Sequence, residues 1–297
     1  MPEYSLDTIE QELPPEWNGV VPSQVFLDEA RKIVEEGAKR AIVLRVMGGV
    51  GIRLKTLQWQ ETAQRLGRMG AASLQEFTDL DFMAYRKQRP RLNEVFNELG
   101  YGWRRPTLSS AASERRIYFH PKGWFFVDVF FDELLVANHP FSLKERLELD
   151  SPTISPTDFL LEKLQIVNMS EKDMKDSLIL MLAHTVGESD SSEAINAAYI
   201  AKLMANDWGF WYTLTTNLKG LMGIAADVKE LAHNERDAIC SHAESLLQRI
   251  ETQPKTLKWK LRSKIGTRQR WYEPVETTET VGEFGIWRLR QPPDQTR

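Results

Sequence analysis

The sequence predicts an α+β protein, a mixed sheet in its first half followed by a helical bundle, on three observations. Short β-branched and aromatic runs alternate with helix-period segments up to about residue 149. Beyond residue 157 nearly everything repeats at helical spacing. Between the two lies Ser151-Pro152-Thr153-Ile154-Ser155-Pro156, a linker-like stretch built from residues that interrupt regular structure. The chain has 297 residues, 42% hydrophobic and 27% charged, and a prior of roughly 100–200 residues per domain allows two domains. We therefore expect a mixed-sheet domain over 1–149, a helical domain over 150–270 and a partly disordered tail over 271–297.

The elements follow in order. Phe26, Leu27, Ala30, Ile33, Val34 and Ala38 recur at helical spacing. A β-branched strand is expected over 41–46, running into Gly48-Gly49, where the backbone can turn sharply. A helix over 52–66 and a loop holding Gly67 and Gly70 come next. A strand over 79–85 and a helix over 90–99, ended by Gly100, follow. The runs 116–120 and 124–131, separated by Pro121-Lys122-Gly123, read as a hairpin, and 134–137 as a short edge strand. Ser155 or Thr157 can cap a helix through Phe159, Leu160, Leu164 and Val167, and Ser170 with Asp173 one through Leu178, Leu180 and Leu182. Helices over 192–206, 208–222 and 225–250 complete the set. No solenoid-period repeat is evident.

Composition excludes several function classes. A net charge of −4 gives the whole molecule no general attraction to nucleic acid or membrane. Cys240 is the only cysteine, so neither an intramolecular disulfide nor a cysteine zinc site can form. The acidic first 15 residues lack the apolar core of a signal peptide, and no run approaches the ~20 apolar residues of a membrane span. A cytoplasmic protein without a membrane partner is the expectation. The five histidines show no metal-ligand spacing, and Gly48-Gly49-Val50-Gly51 lacks the third glycine of a dinucleotide fingerprint.

Three aspartates carry the chemistry. Alternation along a strand puts Asp79 and Asp81 of Asp79-Leu80-Asp81-Phe82 on one face, with Cα atoms ~6–7 Å apart. Two such carboxylates repel unless a cation lies between them, and Mg²⁺ takes oxygen ligands completed by substrate phosphates. Asp128 is the one charge in Phe125-Phe126-Val127-Asp128-Val129-Phe130-Phe131, and burying it unpaired would cost several kcal/mol. Each signal alone has an ordinary reading: a solvated edge, a capped aspartate, a plain turn.

Taken in order, strand, Gly-Gly, helix, strand with Asp-x-Asp, helix and strand with Asp resemble the nucleotidyltransferase superfamily of DNA polymerase β. Met47-Gly48-Gly49 is similar to its hydrophobic-Gly-Gly/Ser motif, Asp79-Leu80-Asp81-Phe82 to its paired-carboxylate motif and Val127-Asp128-Val129 to its third-carboxylate strand. The resemblance covers about 40–131. Leu160-Leu161-Glu162-Lys163-Leu164-Gln165 and Glu171-Lys172-Asp173-Met174-Lys175-Asp176 resemble the Lys-Leu and Lys-Asp-x-x-Asp helices of AbiEii-type nucleotidyltransferases, a group that includes toxins of toxin–antitoxin systems.

The resemblance implies transfer of a nucleoside monophosphate from a nucleoside triphosphate, ATP or another, to an unidentified hydroxyl. Asp79, Asp81 and Asp128 would ligate two Mg²⁺ ions, with Asp128 also the general base. Gly48 and Gly49 would offer backbone amides to the phosphates and Lys163 a point charge, with Asp173 and Asp176 supporting. Lys163 snorkelling from an apolar helix, with Asp173 and Asp176 as helix-start charges, is the plain alternative. The family often carries an Arg shortly before the carboxylate pair; Gln75-Glu76-Phe77-Thr78 stands there instead. Arg68 lies well upstream, and Arg53 is the substitute. A catalytically inactive nucleotide-binding module with this fold is the other reading.

Two segments stay open. Residues 255–271 hold seven Lys and Arg and no acid, interleaved with Trp259 and Trp271. They suit a tRNA or other RNA, or are a solvated helix face. Trp208-Gly209-Phe210-Trp211-Tyr212 reads as bundle core rather than a base-stacking platform. A cognate antitoxin protein is a partner that the AbiEii resemblance implies.

Overall fold

The computed structural model describes residues 13–68, 75–103, 115–135 and 137–275. It is α+β. The chain opens with α1 (Ser23–Lys39), β1 (Leu44–Met47), α2 (Gly48–Lys55) and α3 (Gln60–Arg65). Next come β2 (Asp79–Ala84), α4 (Arg89–Glu98), β3 (Gly102–Trp103), β4 (Arg115–Phe119) and β5 (Phe126–Phe131). These strands form one mixed sheet in the order β1-β2-β5-β4-β3. Only β2 and β5, at its centre, run parallel.

Each face of this sheet has its own core. Leu80, Phe82, Val127, Val129 and Phe131 point to α1 and α4, packing with Phe26, Ile33, Leu92 and Phe96. Met83 and Phe130 point the other way, into a core shared with the later helices. Alternation therefore sends Asp79, Asp81 and Asp128 to that second face. Gly37, not Ala38, completes the buried stripe of α1, because α1 lies so close to β1 that a Cβ there would meet Leu44 Cδ1 at 2.9 Å.

The helical half comprises α5 (Pro156–Leu164), α6 (Glu171–Ala183), the short parallel pair β8 (Thr185–Gly187) and β9 (Ala194–Asn196), and α7 (Ala197–Met204). It ends with α8 (Trp208–Asp227), α9 (His233–Thr252) and α10 (Leu257–Ile265). Ser155 caps α5 and Ser170 caps α6 in a capping box with Asp173, as the sequence predicts.

Several expectations need correction. The stretch 151–156 is no free linker: Val46 N donates to Pro152 O at 3.0 Å and Ile154 N to Val46 O at 3.1 Å, so it borders β1. Thr153, Ile154 and Ser155 are buried there. Residues 134–137 add no strand to the main sheet; β6 (Glu133–Leu134) pairs with β7 (Phe141–Ser142) in a two-stranded ladder. The helix expected over 52–66 is two, broken by a 3-10 turn at Leu57–Trp59. The one expected over 225–250 divides at 228–232, where Ala232 N donates to Glu235 Oε2 and starts α9. The helix expected from 192 starts only at Ala197, its first residues being strand β9. Gly70 and the tail beyond 275 lie outside the described residues.

Candidate active site

The acid corner is set by strand register. In the parallel ladder Asp81 stands directly opposite Asp128, and Asp79 opposite Phe126. Asp81 also faces Met47, the residue before the glycines, across the antiparallel ladder of β1 and β2. Gly48 leaves β1 with φ +65°, where an L side chain is strained, and a Cβ on it would lie 2.4 Å from Asp81 Oδ2. The glycine is thus required twice, by its backbone and by its carboxylate neighbour.

The corner is short of positive charge. Burial, then Asp79, Asp128 and Glu162, hold the Asp81 carboxyl well above the usual carboxylate range. Burial lifts Asp128 to about 6, against the pull of Arg115. Arg115 donates to Asp128 Oδ2 at 3.1 Å, while Asp128 Oδ1 is buried without a hydrogen-bond partner among the described residues. An orphaned carboxylate oxygen in a cluster of mutually repelling acids has the donor chemistry of a hard divalent cation site. Among the described residues, however, no three His, Cys, Asp or Glu side chains are gathered closely enough to cage a metal by themselves. A cation held by these acids would need a ligand's oxygens to complete its shell.

Sequence reasoning missed Glu162. From α5 it accepts the Gly48 amide at 3.1 and 3.3 Å, satisfying the first N–H of α2. Burial raises Glu162 to about 7, although Lys163 and the Gly48 amide both favour its charge. The Gly48 amide is therefore not open to a phosphate as expected; a carboxylate already fills it. The signal was faint, a charged residue amid the leucines of α5, and its partner lies 114 positions away.

The cations are also placed differently from expectation. Lys163 is buried, with Nζ 2.9 Å from Asp173 Oδ1 and 3.2 Å from Asp176 Oδ2. Burial opposes its charge, but Asp176, Asp173 and Glu162 override that and hold the ammonium above the ordinary lysine value. Arg53 does not face an open site: it is buried and donates to Glu76 at 3.0 and 3.1 Å. Arg68, which seemed too far upstream, is the arginine at the glycines, because a Cβ on Gly49 would meet its Nη2 at 2.9 Å. It pairs with Asp176 and lies 3.8 Å from Glu76, so α3's exit, α6 and the residues before β2 close on one another.

With this geometry in view, known proteins add little. No family model matches this chain, and no curated protein matches it. Among solved structures, the chain is similar to the solution structure of antibiotic-resistance factor ANT(2'')-Ia, at TM-score 0.33 and 14% identity. The match covers 62% of this chain and 94% of that one. A likeness that low carries no argument, and the reading of the site rests on its own residues.

The other segments lie elsewhere. Trp208 and Phe210 are buried, as the core reading expects. Trp211 meets Trp259 of α10 edge-on at 5.0 Å, Arg262 lies over Trp208 at 4.8 Å, and Trp271 Nε1 donates to Thr213 at 3.0 Å. Residues 259–271 thus pack on α8. Leu257, Leu261 and Ile265 of α10 remain exposed on its outer side, beside exposed Lys258, Lys260 and Lys264. No helix among the described residues is long and apolar enough to cross a membrane.

Proposed function

We propose that this protein transfers a nucleoside monophosphate from a nucleoside triphosphate to a hydroxyl acceptor. The observation that carries the reading is the register of β2 and β5, which sets Asp81 beside Asp128, with Asp79 on the same face, against the Gly48 corner. In this reading the acceptor oxygen bonds to the α-phosphorus, the bond to the bridging oxygen breaks in line, and pyrophosphate leaves. Asp128 is the general base: Arg115 holds Oδ2, so Oδ1 is the atom left to take the hydroxyl proton. Asp79, Asp81 and Asp128 would hold Mg²⁺, which when bound neutralises phosphate charge and makes the acceptor hydroxyl more acidic. Gly49 keeps the corner free of side chain, and Asp173 and Asp176 fix Lys163 beneath it.

AbiEii-type membership is part of the proposal and is supported by the Lys163 and Asp173/Asp176 pairing. An RNA acceptor is supported by the exposed lysines of α10. A cognate antitoxin rests on the AbiEii resemblance alone. Incubating the full chain with each α-labelled triphosphate, Mg²⁺ and a tRNA pool tests the transfer. The Asp79→Asn/Asp81→Asn variant should lose label by roughly a hundredfold or more; equal labelling of variant and wild type eliminates the reading. A nucleotide-binding module without transfer is the second reading, favoured by one observation: the described acids do not close a metal cage unaided. Triphosphate binding with no Asp-dependent transfer on any acceptor would select it.

A further inference from the structure

We propose that Lys172, rather than Lys163, is the cation that meets the triphosphate of the incoming nucleotide, on the Gly49 side of the corner; the proposal rests on the nucleotidyl-transfer reading. The other groups around the glycines are already engaged. The Gly48 amide is taken by Glu162. Lys163 is held by two carboxylates and buried beneath them. Arg53 is committed to Glu76, and Arg68 to Asp176. Each would have to abandon a buried partner to bind a phosphate, and breaking such a pair leaves an uncompensated charge.

Lys172 differs in every respect. It sits in the first turn of α6, with Cε 3.7 Å from where a Cβ on Gly49 would be. Among the described residues its ammonium has one hydrogen bond, a long 3.4 Å donation to the Glu76 carbonyl, and no carboxylate within ion-pair distance. The residue is exposed, so it is reachable from solvent. The protein crowded around its head, then Arg68, push it below the ordinary lysine value, and Lys163 adds in the same direction. Asp176 and Asp79 pull the other way but neither pairs with it among the described residues, so an arriving polyanion would supply the partner this ammonium lacks. Lys175, one turn on, is the natural contrast: it is paired with Glu171 at 2.6 Å.

Calorimetric titration of the full chain in Mg²⁺ with inorganic tripolyphosphate, ATP and AMP tests this. Lys172→Met should weaken tripolyphosphate and ATP by roughly tenfold, about 1.4 kcal/mol. AMP affinity and the thermal midpoint should not move. Lys172→Arg should stay within about threefold of wild type, and Lys175→Met should bind as wild type does. Wild-type tripolyphosphate affinity in Lys172→Met, with Asp-dependent label transfer intact, overturns the proposal and leaves the transfer reading standing. An equal loss for AMP marks a structural role and also overturns it. A wild-type chain that binds neither tripolyphosphate nor ATP overturns both.

Discussion

Two groups of buried charge in this molecule resemble each other in composition and differ in how their charges are answered. Around Arg146 every group is satisfied: its Nε donates to Asp158 at 2.6 Å, Nη2 lies 2.9 Å from Asp190, and its guanidinium stacks 3.8 Å over Tyr199. Ser155 donates to the other Asp158 oxygen, and Asn196 to Asp190. Burial opposes the Arg146 charge, but Asp158 and Asp190 more than offset it. At the corner of Asp79, Asp81, Asp128 and Glu162 the acids raise one another's pKa values, and among the described residues Asp128 Oδ1 has no hydrogen-bond partner. A saturated network is architecture. An unsaturated one keeps a deficit that a ligand can relieve, and perturbed carboxylates in such a place make a candidate for function.

Substitutions at the two sites test that difference. The largest effect is expected at the saturated site, where Arg146→Met strands two carboxylates and should cost about 3–5 kcal/mol in urea denaturation. A loss below about 1 kcal/mol would erase the distinction. Glu162→Gln should act in the opposite direction and depend on pH. The folded carboxyl titrates near 7, above the ordinary 4.5, so its contribution to stability is full below pH 4.5 and lost as pH rises through 7. The Gln variant, which can still accept the Gly48 amide, should gain on wild type between those values, by on the order of 2 kcal/mol at pH 8. A constant difference across pH would place Glu162 among ordinary paired acids. Smallest in stability is Gly48→Ala: the positive φ costs about 1–2 kcal/mol, and its methyl must displace the Asp81 carboxylate. Label transfer should fall much further than the melting temperature. Parallel losses would mean that the corner is structural only.

How much of this was legible depended on range. Asp79 and Asp81 could be assigned to one face because alternation is local, and Gly48-Gly49 could be read as a turn because glycine breaks a strand pattern. The hairpin of β4 and β5 and the caps at Ser155 and Ser170 were equally local. What escaped was answered across long separations. Glu162 caps a helix 114 residues earlier, and Arg68 finds Asp176 108 residues later. Nothing in the immediate sequence of either residue points to its partner. Strands β8 and β9, three residues each, are too short to carry a period. Arg53 was misread because a cation near a motif looks available, whereas Glu76, from the segment just before β2, consumes it.

The bonding of Val46 to residues 152 and 154 has a consequence for how the protein can be cut. β1 is the outermost strand of its sheet, and those later residues supply the backbone partners that would otherwise face water. A fragment ending at 149 would present that strand's bare amide and carbonyl to any passing extended chain, the template from which edge-to-edge aggregation grows. That edge of the sheet is therefore covered only once newly made chain has reached past residue 154.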